Sequence, residues 1–100
     1  MKEAKKLEIC AAAVKRFGPR DQILKAVEEL AELQRALARY SAKWMDERSV
    51  ADVCEEIADA GIMLAQLRLI FDETEIDDWE DSKLERLAMM VGVKIEEEAT

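Results

Sequence analysis

The chain has no histidine, one proline, three glycines and two cysteines, and each shortage removes a class of answer. Cys10 and Cys54 form no C-x-x-C pair, so with no histidine in the chain a zinc site is not expected. They read instead as small core residues in a reducing compartment. A ferritin-like di-iron bundle fails for the same reason, because it needs Glu-x-x-His pairs. Scarce glycine and proline, beside abundant Ala, Leu, Glu, Lys and Arg, give high helix propensity. Strand-type alternation is also missing, and the chain reads as all-α. No Lys/Arg tract offsets a net charge of -8, which argues against a duplex DNA or RNA partner, since phosphate neutralisation dominates such binding. The longest apolar run, Ile9 to Val14, is too short for a signal segment or a membrane span, so a cytoplasmic protein with no membrane partner is expected.

What is present fits one domain over residues 1–100. Half of the residues are apolar, enough for a core. A lone chain of this length nevertheless buries only about 60 to 65% of its unfolded surface, which makes a homodimer or homotetramer attractive. The apolar spacing predicts four helices. The first covers about residues 2–17, with Leu7, Ala11 and Val14 on one face, and stops at Gly18-Pro19. The second covers about 21–40, with Asp21 as N-cap and Ile23, Val27, Leu30, Leu33 and Leu37 as its buried stripe. After a joint over residues 41–48, Ser49 is expected to cap a third helix with Asp52 three residues on, and Val50, Val53, Ile57, Leu64, Leu67 and Phe71 form its core face. Thr74 and Asp77 repeat that pattern before a fourth helix over about 75–90, ended near Gly92, and the tail from residue 96 is expected to fray.

Two short stretches are near copies: Glu28-Glu29-Leu30-Ala31-Glu32 and, 27 residues on, Glu55-Glu56-Ile57-Ala58-Asp59. Helical residues three apart are surface neighbours, so Glu29/Glu32 and Glu56/Asp59 each present a carboxylate pair. Stepping about 100° per residue from Leu30 and Ile57 puts both pairs on an equivalent lateral face. On the third helix that face also carries Ala60, Met63 and Ile70, which a purely solvated acidic face would not. The short joint favours an antiparallel hairpin that brings four acids together. Their repulsion must be offset by shared protons, by a neighbouring Lys or Arg, or by a divalent hard cation, which the oxygen-only donor set fits best. Magnesium is the leading candidate and manganese the second. The acid-rich segment 72–80 lacks the central Gly and the ligand spacing of a calcium loop.

Glu28, Glu29 and Glu32, a spacer of 23 residues, then Glu56 and Asp59 resemble the Glu-Glu-x-x-Glu and Glu-x-x-Asp signature of the MazG-like all-α nucleoside triphosphate pyrophosphohydrolases. Lys25 before the first copy, the apolar continuation through residues 61–71, and Lys83 with Arg86 add to the resemblance, which covers about residues 20–90. Either half of the motif alone is common on charged helices; the paired arrangement carries the signal. The resemblance implies a four-helix bundle-like fold completed by oligomerisation, and cleavage of a nucleoside triphosphate between its α and β phosphates to give the monophosphate and pyrophosphate with magnesium. It makes Glu29, Glu32, Glu56 and Asp59 the metal ligands and Glu28 an additional ligand or the residue that orients water. Glu55 has no counterpart in the signature. Lys83, Arg86 and Lys25 then become candidates for holding phosphate charge, and Trp44 for stacking a base.

Each of these has a plainer reading. Lys25 suits a helix ion pair with Glu28 or Glu29, Lys83 and Arg86 suit pairing with Glu80, Asp81 and Glu85, Trp44 suits an interface or core anchor, and Met63, Met89 and Met90 suit packing. Two other functions fit the same residues. One is a narrower enzyme acting on phosphoribosyl-ATP or on a deoxyuridine or deoxycytidine nucleotide; the other is a non-catalytic helical module whose acidic groove binds a basic partner.

Overall fold

The computed structural model describes residues 1–42 and 47–96, which form the four helices that the composition predicts. α1 spans Glu3–Phe17, α2 Pro19–Ala42, α3 Glu47–Ile70 and α4 Glu73–Val91. Among the described residues no helix is long and apolar enough to cross a membrane. Trp44 and most of the α2–α3 joint lie outside the described residues, as do residues 97–100, where fraying was expected.

The joints use different residues from those the cap patterns suggest. Gly18, at φ 89°, accepts a backbone conformation that side chains oppose; it closes α1 through its N–H to the Val14 carbonyl and opens α2 by accepting from the Gln22 N–H. Pro19 therefore takes the first helical position, where its missing N–H costs nothing, and Asp21 lies inside the first turn rather than capping it. Ser49 likewise falls inside α3, buried in its first turn. For α4 the cap is Asp72, whose carboxylate accepts from the Glu75 N–H at 3.1 Å, and Thr74 lies within the helix. Gly92 ends α4 in the left-handed region at φ 74°, with the Val93 N–H returning to the Ala88 carbonyl.

α2 and α3 make the main packing of the molecule. Gln22 near the start of α2 donates to Gln66 near the end of α3 at 2.6 Å, while four residues connect the opposite ends, so the two helices run antiparallel. Their seam follows the alternating four- and three-residue steps of a coiled coil: Gln22, Ala26, Glu29, Leu33, Ala36 and Tyr40 on α2, and Ser49, Val53, Glu56, Ala60, Met63, Leu67 and Ile70 on α3. All of these are buried or half-buried. Small side chains at Ala26, Ala36 and Ala60 let the backbones approach, and Met63, 5% exposed, is the one large apolar side chain buried among the described residues.

This seam is rotated away from the apolar stripes expected to form the core. Val27, Leu37, Val50, Ile57, Leu64 and Phe71 are all exposed, whereas Ile23, Leu30, Leu33, Val53 and Leu67 are half-buried. The physical reason is that each helix has more apolar surface than one neighbour can cover. α1 packs on α3 and less on α2 through buried Cys10 and half-buried Ala13 and Val14, leaving Leu7 and Ala11 exposed. Cys54 is exposed too, against its reading as a core residue. α4 buries no residue and touches α3 alone, held there by Arg68, which donates to Asp77 at 2.6 Å and to Glu80 at 2.8 Å.

The tight seam and its open neighbour give opposite expectations for small residues one position apart. Ala60→Leu should overpack the seam and destabilise the fold by about 1–3 kcal/mol. Gly61→Ala should be neutral or stabilising by up to about 1 kcal/mol, since an added Cβ meets nothing within 4 Å and helix propensity rises. Urea denaturation of the two variants in dilute solution checks both signs.

Candidate metal centre

The register of the hairpin decides which acids meet. Seven residues on from Gln22 is Glu29, and seven back from Gln66 is Asp59; ten residues in each direction give Glu32 and Glu56. An antiparallel pair locked at Gln22–Gln66 therefore sets Glu29 against Asp59 and Glu32 against Glu56. Carboxylate oxygens of Glu29, Glu56 and Asp59 lie within 4.8 Å of one another, and all three residues are half-buried. Glu32, half-buried as well, stands outside that close trio but near enough for its charge to act on Glu56.

Two observations single out Glu56. Its Oε2 is buried with no hydrogen-bond partner. Burial first, then the charges of Asp59, Glu32, Glu29 and Glu55, push its carboxyl above the ordinary range of 4.5. Glu55 thus contributes charge to the site, although it is exposed and lies outside the trio.

Lys25 sits at one edge. Its Nζ pairs with Glu29 at 3.2 Å and Glu28 at 4.0 Å, and it is held protonated first by the hydrogen bond to Glu29, then by the charges of Glu28 and Glu29. The charge of Asp59 reaches it across the seam. The ion-pair reading of Lys25 is therefore realised, at a place bordering the acids. Glu28 points to the exposed side, with Lys25 as its partner.

The remaining candidates are not brought to this centre. Lys83 lies over the Trp79 ring, 5.8 Å from its centroid, and Arg86 is exposed; both belong to α4, which makes no packing contact with α2. Glu80, one of their expected partners, is instead engaged by Arg68. The residues that sequence reasoning passed over are Gln22, Gln66 and Arg68. Gln22 lies on the seam and Gln66 is buried beside it, but a seam interrupted by Gln, Glu and Ser does not register in a hydrophobic reading. Arg68 carries no local signal, because its partners belong to the next helix.

The donor set fits a hard divalent cation. It is all oxygen, it contains an unpartnered buried carboxylate oxygen, and it concentrates charge that one Lys offsets only at the edge. Carboxylate oxygens already within 4.8 Å of one another are close enough for these residues to share one ion. Set against known proteins, the chain matches no family model, no curated sequence and no solved structure.

A raised carboxyl in the folded state gives a pH signature. Because folded Glu56 holds its proton more tightly than the unfolded chain does, its contribution favours folding below the unfolded value of 4.5 and is lost as pH rises through the higher folded value. Glu56→Gln should therefore melt at a higher temperature than the parent at pH 7 without divalent metal, and the gap should close as pH falls below 4.5. A gap that persists unchanged at acid pH in thermal melts would show that charge at Glu56 is not its cause.

Proposed function

We propose that this protein is a magnesium-dependent nucleoside triphosphate pyrophosphohydrolase, yielding a nucleoside monophosphate and pyrophosphate. The observation that carries the reading is the meeting of Glu29, Glu56 and Asp59 across the α2–α3 seam, with the buried oxygen of Glu56 unpartnered. The spacing of these acids in the sequence, with Glu28 and Glu32, resembles the MazG-like signature, and the approach of three of them supports the reading.

Glu29, Glu56 and Asp59 would hold the ion, with Glu32 beside them. Bound there, magnesium supplies neutralisation of phosphate charge and a lowered pKa for attacking water. The chain's own residues set the rest. Antiparallel helices hold the carboxylates, exposed Glu28 at the edge would orient water or accept its proton, and Lys25 borders the site where a phosphate oxygen would approach. In the reaction, water oxygen bonds to the α-phosphorus as the bond to the bridging oxygen of the β-phosphate breaks, and pyrophosphate departs with the electron pair. Lys83 and Arg86 would enter such a site from a second copy, whose presence also suits the uncovered apolar stripes of α2 and α3.

Metal-stripped protein incubated with a panel of ribo- and deoxynucleoside triphosphates, with and without magnesium, tests the reading by chromatography of the products. Magnesium-dependent release of monophosphate and pyrophosphate is expected. Glu56→Gln and Asp59→Asn should lower turnover on the order of 10²–10³-fold, the scale of removing a principal electrostatic stabiliser, with helicity retained by circular dichroism. Absence of turnover, together with melting unaffected by magnesium, would favour an acidic module that binds a basic partner.

A further inference from the structure

Glu29 is engaged from two sides. Across the seam its carboxylate lies within 4.8 Å of those of Glu56 and Asp59, and along its own helix it takes the ammonium of Lys25 at 3.2 Å. Residues four apart on a helix are neighbours, so Lys25 stays within reach of Glu29 however the seam is occupied. The second contact of Lys25, to exposed Glu28, is longer at 4.0 Å. The ammonium therefore rests on one corner of the acid centre, and the buried Oε2 of Glu56 has no partner.

The two members of the pair differ in freedom. Glu29 is a seam residue with its side chain 15% exposed, whereas the side chain of Lys25 is 50% exposed. A half-exposed lysine on a flexible four-carbon stem can leave Glu29 for Glu28 or for water without moving any packed side chain. Glu29 has no such move. A divalent ion shared by Glu29, Glu56 and Asp59 would compete with Lys25 for the same carboxylate, and would place two positive charges beside the ammonium. Competition and repulsion both drive Lys25 outward.

We propose that Lys25 and the divalent cation are alternative partners of Glu29: the ion displaces the ammonium as it binds, and the freed ammonium turns to an anionic phosphate oxygen at the rim. This rests on the metal-centre reading given above and adds an order of events to it. Linkage is reciprocal, so an anion that draws Lys25 away from Glu29 strengthens the hold on the cation by the same factor that the cation strengthens the hold on the anion. Lys25 thus weakens the binding of metal that arrives alone and favours metal that arrives with phosphate.

Binding of Mn2+ alone to the metal-stripped full chain tests the competition, with free ion followed by electron paramagnetic resonance in about 0.15 M salt, where charges that make no direct contact are largely screened. Lys25→Met keeps the helix propensity of an exposed position, so circular dichroism should be unchanged. It should bind Mn2+ at least about 5-fold more tightly than the parent, while Lys25→Arg, which keeps the competing charge, should stay within about 2-fold of it. Arg35, exposed on the same helix six residues beyond Glu29, controls for charge alone, and Arg35→Met should shift the affinity by no more than about 2-fold. Thermal melting gives a second readout: Lys25→Met should melt below the parent without metal, and the gap should narrow or reverse in saturating Mn2+. A variant at Lys25 that binds no tighter than the parent, an equal tightening in Arg35→Met, or a melting gap unchanged by Mn2+ overturns the competition and leaves the metal centre standing. Failure of both parent and Lys25→Met to bind Mn2+ overturns the centre and the competition together.

Discussion

Everything in the site depends on the register of α2 against α3. The Gln22–Gln66 hydrogen bond is buried, so slipping the helices would leave amide groups unpaired in the seam. The same register places Glu29 beside Asp59 and Glu32 beside Glu56. A seam lined entirely with leucine would hold the helices more strongly, yet it would not select this alignment so sharply. Polar seam residues trade stability for a single arrangement, which suits a cluster of acids that must converge to within a few ångströms.

That trade explains why the single chain has so little interior. Ala, Gln, Ser and Glu occupy positions that would otherwise be filled by large apolar side chains, and the larger side chains are displaced to the flanks. Carboxylates held together in the seam oppose folding, the buried oxygen of Glu56 most of all. A cation would relieve that opposition, and apolar flanks covered by another chain would offset it. On the proposed reading, a bound cation and a second chain would each act on folding through this same pair of helices.

Charge is distributed along the chain in a way that the net value conceals. α1 is basic, α4 strongly acidic, and the α2–α3 seam holds its acids at the centre with Lys25 at the edge. Arg68 restrains the acidic start of α4 and so sets the direction in which the rest of that helix leaves the body.

Four helices, their approximate limits and the antiparallel hairpin were legible in the sequence, because helix propensity, Gly18-Pro19 and Gly92 act locally. So was the placing of Glu29 with Glu32 on one helix face and of Glu56 with Asp59 on another, since residues three apart are neighbours on any helix. Caps were less legible: Asp72 and Thr74 are both plausible, and the choice depends on how α3 ends. The side of each helix that faces its neighbour was not legible at all. Apolar side chains mark what a helix can bury, and α2 and α3 have more than one such side; which one is used depends on backbone approach at Ala26, Ala36 and Ala60 and on the Gln22–Gln66 bond. The sequence by itself determined which acids share a helix face. Only the tertiary structure decided that this face is the seam, because that choice is made by long-range packing between helices, to which no local spacing responds.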